Sequence, residues 1–118
     1  MPKTIVLKDN KDFVRAFRNG KCFVTPAFAL YVRKNRVKRN RVGYSVSKKI
    51  GNAVARNRAK RVLRQSFWSN EKHLPNIGLD FVFVARFRAT KLKSFEIEKF
   101  FNDLIEKDLK QILSENKK

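Results

Sequence analysis

Positive charge in the middle of this chain has no negative charge interspersed with it. Residues 13–70 contain sixteen Lys and Arg side chains and no Asp or Glu. All ten acidic residues of the 118-residue chain lie outside that stretch. Like charges without counter-charges repel one another in a folded protein, and that repulsion costs stability. The sequence therefore predicts a fold in which a negatively charged partner covers a basic surface.

The size of the charge narrows the class of partner. The formal net charge is +19 at pH 7, above the magnitude of roughly 2–8 that solubility alone favours. A phosphate backbone is the commonest polymer that supplies matching charge, so nucleic acid is the leading partner. An anionic membrane surface is the weaker alternative. No run of 18 apolar residues is present and the first nine residues are too polar for a signal peptide, so we expect a cytoplasmic protein.

The residues that usually carry catalysis or bind metals are few and scattered. Cys22 is the only cysteine and His73 the only histidine, which excludes an internal disulfide and a cysteine metal cluster. Asp103, Glu106 and Asp108 are close in sequence, but a solvated helix face explains them. A metal-dependent nuclease needs two or three converging carboxylates, and none lies near the basic block. We therefore predict no catalytic residue and no metal site on the protein itself.

The pattern of apolar residues predicts three helices and four strands in the order α-β-β-β-α-β-α. The predicted helices cover residues 10–19, 52–69 and 94–114, and the predicted strands cover residues 22–25, 27–32, 41–47 and 79–85. Asp9 and Ser94 are candidate N-caps, and Asn19-Gly20 ends the first helix. The order indicates a single α+β sandwich without repeat, linker or second domain.

Two of these strands carry specific expectations. In the strand over 41–47, Val42, Tyr44 and Val46 alternate with a thin face of Gly and Ser, which a helix or a ligand can approach closely. The strand over 79–85 is almost continuously apolar. Such a strand is typical of the centre of a sheet that is covered on both faces.

The second helix has one apolar side and one basic side. The residues of its inward arc are small or apolar: Ala55, Ala59, Val62, Leu63 and Ser66. Arg56, Lys60 and Arg64 form a ridge facing away, Arg61 lies beside that ridge, and Arg58 borders the apolar arc. A merely solvated helix face would carry Glu at i+4 from its cations, and this helix carries no acid. We interpret the basic side as a surface for RNA or DNA.

Four aromatic residues near the start of the chain have two open interpretations. Phe13, Phe17, Phe28 and Tyr31 can all belong to the core. Alternatively, a groove between the first helix and the sheet can expose some of these rings as a stacking platform for unpaired bases. Composition alone does not decide between the two.

The block of residues 43–61 resembles the signature of the bacterial ribonuclease P protein subunit. Its hallmark is an arginine–asparagine–arginine run followed by a lysine–arginine pair, here Arg56, Asn57, Arg58, Lys60 and Arg61. The resemblance covers nearly the whole chain, through Asp12, Phe13, Phe17, Gly20, Phe28, Tyr31, Arg64 and the strand over 80–85. It implies a single ribonuclease P protein domain over residues 1–118. The loop over 33–41 is more basic than the family pattern, and Ala59 is smaller than the usual aliphatic residue.

In that family a large RNA is the catalyst and the small basic protein is its accessory subunit. The resemblance thus implies partnership with a catalytic RNA and precursor tRNA, and removal of the 5′ leader with magnesium held mainly by the RNA. It also implies a left-handed β-α-β crossover around the basic helix, against the usual right-handed rule. The implied contacts to the catalytic RNA are Arg56, Asn57, Arg58, Lys60, Arg61 and Arg64. The implied leader cleft contains Phe13, Phe17, Tyr31, Ser45 and Lys49.

Two other functions share the same charge. A ribosomal or other structural RNA-binding protein is the main alternative, and a Phe-lined groove beside the basic helix distinguishes the two. A DNA-binding helix-turn-helix regulator is weaker, because the chain after Ser69 passes through Pro75 and Gly78 into a strand instead of a second helix. No obligate protein partner and no membrane partner are evident.

Overall fold

The structure, a computed structural model, describes residues 4–110 and residue 112. The helices are α1 (Asn10–Asn19), α2 (Ala53–Asn70) and α3 (Ser94–Lys107), and the strands are β1 (Ile5–Val6), β2 (Lys21–Val24), β3 (Phe28–Lys34), β4 (Arg41–Ser45) and β5 (Leu79–Ala85). Short 3₁₀ turns cover Lys48–Ile50, Glu71–His73 and Phe87–Thr90. The strands form one five-stranded sheet in the order β1-β4-β5-β3-β2. The predicted α+β class is confirmed.

Two predicted helix caps differ in detail from the structure. Asp9 stands at the N-cap of α1 but makes no side-chain cap bond. Lys93, not Ser94, is the N-cap of α3, where the Glu96 carboxylate accepts from the backbone N–H of Lys93 at 3.2 Å. Helix α3 ends at Lys107, and its predicted end at Ser114 lies outside the described residues. Strand β1 was not predicted, because two residues are too few to show an alternation.

One face of the sheet packs against α2 and α3 and forms the main core. Strand β5 lies between β4 and β3, and all of its residues except Val84 are buried, which confirms it as the central strand. Phe67 of α2 contacts the rings of Phe81, Phe83 and Phe101 at centroid distances of 5.5–6.1 Å. Phe28 is fully buried against Phe83, so this ring belongs to the core and not to a groove.

Helix α1 covers the opposite face of the sheet. Ala16 is fully buried in a small cluster with Leu7 and Val82. A Cβ on Gly43 would lie 2.5 Å from Cζ of Phe13, so the absence of a side chain there lets α1 approach β4. The thin face predicted for β4 is therefore confirmed. Gly20 ends α1 with an extended φ of −83°, and its role is also close approach, since a Cβ would lie 2.6 Å from the Ala16 carbonyl oxygen.

The basic helix connects two neighbouring parallel strands. Strand β4 pairs with β5 in parallel, from Arg41 opposite Asp80 to Ser45 opposite Val84. Because α2 lies between β4 and β5 in the chain, the three elements form a β-α-β unit. The left-handed sense of this crossover stays a prediction.

Candidate nucleic-acid interface

Helix α2 packs its predicted apolar side inward and exposes Lys60 and Arg64 of the predicted ridge, whereas the third ridge residue, Arg56, is half-buried. It begins after Asn52, whose side chain accepts a hydrogen bond from the backbone N–H of Ala55 at 2.9 Å. Ala59, Val62, Leu63 and Ser66 are buried, whereas Ala55 at the helix start is only half-buried. Packing of the inward arc thus fixes which side chains face outward.

The outward side of α2 is a patch of exposed polar and basic groups. Asn57, Lys60, Arg61 and Arg64 are all exposed. Helix α2 contains no acidic residue, and these cations form no ion pair within the part of the chain that the structure describes. We call Asn57, Lys60, Arg61 and Arg64 the basic patch. Its charge is available to a phosphate backbone.

Arg58 differs from the other cations of the helix. Its guanidinium is half-buried and donates to the carbonyl oxygen of Ala89 at 3.2 Å and to that of Leu92 at 3.1 Å. Arg58 therefore ties α2 to the segment between β5 and α3. A contact of Arg58 with RNA stays a prediction, whereas its predicted position at the border of the apolar arc is confirmed by the half-buried side chain.

Arg56 and Tyr44 border a cavity between α2 and the end of β4. The cavity has a volume of about 340 Å³ and is lined also by Val46, Asn57 and Lys60. Arg56 Nε and Tyr44 Oη are buried and have no hydrogen-bond partner among the described residues. Burial raises the pKa of Tyr44 well above its ordinary value, so the hydroxyl keeps its proton. Both atoms are thus free donors beside the basic patch.

Tyr44 was missing from the predicted contacts. The signal available in the sequence was its polar tip within the Val42, Tyr44, Val46 face of β4, directly before the basic block. A buried unpaired donor costs roughly 1–3 kcal/mol, which a bound phosphate or hydroxyl removes. Tyr44 therefore joins Arg56 as a candidate RNA contact.

Three of the five predicted cleft residues form one cluster. The rings of Phe13 and Phe17 are 6.5 Å apart, and Phe17 meets Tyr31 edge to face at 5.1 Å. Phe17 is 41% exposed, and Phe13 and Tyr31 are half-buried. We call these three rings the aromatic cleft, after the leader cleft that the resemblance implies; that they line a groove between α1 and the sheet stays a prediction. A ring that is exposed by two fifths can stack on a base.

The other two predicted cleft residues, Ser45 and Lys49, lie at the end of β4 and on the turn that leads to α2. Ser45 shares the α1 side of β4 with Gly43 and pairs in register with half-buried Val84. Lys49 lies outside the ring cluster, exposed on the turn Lys48–Ile50 that follows β4. The five residues thus run from α1 across the sheet to the start of the basic helix.

Hydrogen bonding with the Cys22 thiol raises the pKa of Tyr31, so its hydroxyl is neutral at pH 7.

The described residues contain no group of three or more His, Cys, Asp or Glu that could hold a metal ion. Within the same residues no helix is long and apolar enough to cross a membrane. What the site offers chemically is positive charge, hydrogen-bond donors and exposed rings. Groups of these kinds suit the binding and orientation of a nucleic acid.

Comparison with known proteins points in the same direction. A family model described as Ribonuclease P matches residues 1–108. The ribonuclease P protein component of Natranaerobius thermophilus is 40% identical over 107 residues, 91% of this chain and 92% of the relative. The solved RNase P protein of Staphylococcus aureus has a TM-score of 0.75 at 31% identity, covering 86% of this chain and 92% of that one. The RNase P protein from Thermotoga maritima has a TM-score of 0.74 at 28% identity, covering 84% and 93%.

Proposed function

Because the chain belongs to the ribonuclease P protein family, we propose that it is the accessory subunit of an RNA-based ribonuclease P. In this proposal a catalytic RNA binds the basic patch, and the 5′ leader of precursor tRNA binds the aromatic cleft. The holoenzyme then removes the leader and leaves the mature 5′ end of the tRNA.

The observation that carries this proposal is the arrangement of two different surfaces on one small protein. The basic patch suits a phosphate backbone, whereas the aromatic cleft suits unpaired bases. Lys49 lies on the turn between them. A structural RNA-binding protein needs only the first surface, so the second favours the handling of a single-stranded leader.

Magnesium belongs to the RNA in this proposal. Screening of phosphate repulsion by the basic patch lets the catalytic RNA, the tRNA and the leader come together. The RNA then binds its magnesium ions at lower concentration. The protein's own contribution in this proposal is to bind, screen and orient.

Reconstitution tests the proposed function directly. We expect purified protein alone to leave precursor tRNA intact, and protein with catalytic RNA to cleave it at a magnesium concentration where the RNA alone is inactive. The measurement is the rate of 5′ leader release against magnesium concentration. Specific 5′ cleavage by RNA-free protein after nuclease treatment contradicts the accessory role. No change in the magnesium requirement favours a structural RNA-binding protein.

Replacing Phe17 by alanine tests the aromatic cleft. Stacking is worth roughly 1–3 kcal/mol per base, so the holoenzyme should lose up to about a hundredfold of its preference for precursor over mature tRNA. Phe95→Ala is the matched control, because Phe95 is an exposed ring on α3, at 64% exposure.

Two further measurements separate leader binding from stability. Leaders of increasing length should bind more tightly to the wild-type holoenzyme until the cleft is filled, and then level off. Thermal melting of Phe17→Ala reports a core role, since large-to-small core substitutions cost roughly 3–5 kcal/mol. Affinity independent of leader length, or a melting collapse with intact leader discrimination, contradicts the cleft assignment.

A further inference from the structure

Helix α1 separates the leader groove predicted at the aromatic cleft from a second groove on the same face of the sheet. With about 100° per residue, Phe13 and Phe17 project toward the aromatic cleft, while Arg15 and Asn19 project to the other side of Ala16. Ala16 is fully buried and marks the line along which α1 rests on the sheet. The second groove is therefore a separate surface, with α1 as the wall between it and the cleft.

The second groove is a polar cavity of about 430 Å³. Its lining includes Asp12, Arg15 and Asn19 from α1, Arg33 from β3, Arg36 from the following loop and Arg41 from β4. We call it the arginine groove. Its volume is within the range of roughly 300–1,000 Å³ for ligand sites, and its polar lining suits a hydrophilic anion.

The charges of the arginine groove do not balance. The carboxylate of buried Asp80 neutralises Arg41 and accepts hydrogen bonds from its Nε at 2.8 Å and its Nη2 at 2.9 Å. Asp12 lies between Arg15 and Arg41 at 3.6 and 3.5 Å. Neither Arg33 nor Arg36 forms an ion pair within the described part of the chain. Two guanidinium groups therefore remain without a carboxylate.

Arg33 also holds an unused donor. Its Nε donates to the carbonyl oxygen of Lys34 at 3.0 Å. Its Nη1 is buried and has no hydrogen-bond partner among the described residues. An unpaired buried donor on a charged group is costly unless a ligand accepts from it. A phosphate oxygen is the acceptor that a guanidinium fork fits best.

We propose that the arginine groove binds a backbone phosphate of RNA through Arg33 and Arg36. This site is additional to the basic patch and the aromatic cleft, and it rests on the proposed function in that the RNA is a component of the ribonuclease P reaction. Two RNA strands can supply the phosphate: the catalytic RNA or the leader of precursor tRNA. The experiment below distinguishes the two sources.

The first arm measures affinity and its salt dependence with Arg33→Gln and Arg36→Gln. Arg36 is exposed, so its variant is expected to keep the fold and supports the Arg33 result. Each variant should bind the RNA roughly tenfold more weakly and lower the slope of log affinity against log salt by roughly 0.7–0.9. Arg18→Gln is the matched control: Arg18 is exposed on α1 and does not line the groove.

The second arm locates the strand. Val37 lines the groove and is 50% exposed, so an iron–EDTA tether on Val37→Cys can cut RNA bound there. The exposed natural thiol of Cys22 is first removed as Cys22→Ser. Cuts in the catalytic RNA of the leaderless complex assign the phosphate to that RNA, and cuts in the leader assign it to the substrate. The positional control is a tether at Lys99→Cys, because Lys99 is an exposed residue of α3.

The outcomes separate this proposal from the proposed function. If wild-type protein does not bind the catalytic RNA, the proposed function itself fails. If wild-type protein binds and variants of the basic patch weaken binding, the groove proposal requires two results. Arg33→Gln and Arg36→Gln must each weaken RNA binding more than Arg18→Gln does. The tether at Val37 must also cut RNA more strongly than the tether at Lys99. Failure of either overturns the groove and leaves the basic patch untouched.

Discussion

Replacing Asp80 by alanine is expected to lower the free energy of unfolding by about 3–5 kcal/mol, because a buried ion pair then loses one partner. Asp80 is fully buried at the middle of the sheet. Its carboxylate accepts from Asn35 Nδ2 at 2.8 Å, from Arg41 Nε at 2.8 Å and from Arg41 Nη2 at 2.9 Å. Alanine would leave Arg41 largely buried, with the longer contact to the Asp12 carboxylate, at 3.5 Å, as its remaining ion pair.

Thermal and urea unfolding of the RNA-free protein measure this loss. Asp12→Ala is the matched control, since its contacts with Arg15 and Arg41 are 3.6 and 3.5 Å long and its cost should be about 1 kcal/mol. The double variant Asp80→Leu with Arg41→Met removes both charges and should recover much of the stability. Equal small losses for Asp80→Ala and Asp12→Ala would show that the pair contributes little.

Asp80 also shows what a charge count along the sequence leaves out. It is the only acidic residue between Glu71 and Glu96, and it lies 39 positions after its partner Arg41. A local pattern does not reveal such a pair, because strands β4 and β5 bring the two residues together through the sheet. The acid-free stretch over 13–70 is therefore partly compensated from outside. Asp80 neutralises the charge of Arg41 but not the charges of the basic patch.

Helix α2 was predictable because both of its sides have clear patterns. The arc of Ala59, Val62 and Leu63 repeats at helical spacing, and the cations fall elsewhere on the wheel. Arg58 was ambiguous, since it borders the arc, and its partners at Ala89 and Leu92 come from a distant segment. Residues at the edge of an apolar arc depend on tertiary neighbours, which the sequence of one helix does not contain.

The fold, and not composition, determines which aromatic residues belong to the core and which are exposed. Phe28 and Tyr31 are three residues apart on β3 and therefore face opposite sides of the sheet. The α2 side is closed by two helices, and Phe28 is fully buried there. The α1 side is covered by one short helix, which leaves Phe17 exposed beside Tyr31. The number of helices that cover each face therefore decides which ring is exposed to a ligand.

Replacing Lys60, Arg61 and Arg64 together by alanine is expected to weaken binding to the catalytic RNA by roughly two to three orders of magnitude near physiological salt. Three lost phosphate contacts should flatten the plot of log affinity against log salt by roughly 2–3 units. The fold should survive, since all three side chains are exposed and alanine favours helix. Arg56 and Arg58 are left in place because both are half-buried, and Arg58 holds the segment before α3.

A control with the same loss of charge shows whether position matters. Lys11, Lys99 and Lys107 are exposed on α1 and α3, away from the basic patch. Their triple alanine variant lowers the net charge equally, so it reports the long-range part of the attraction. Binding titrations at several salt concentrations compare the two variants, with circular dichroism to verify helicity. The basic patch is an RNA contact if its variant loses far more affinity and slope than the control. If both variants behave alike, α2 attracts RNA only through the overall charge of the protein.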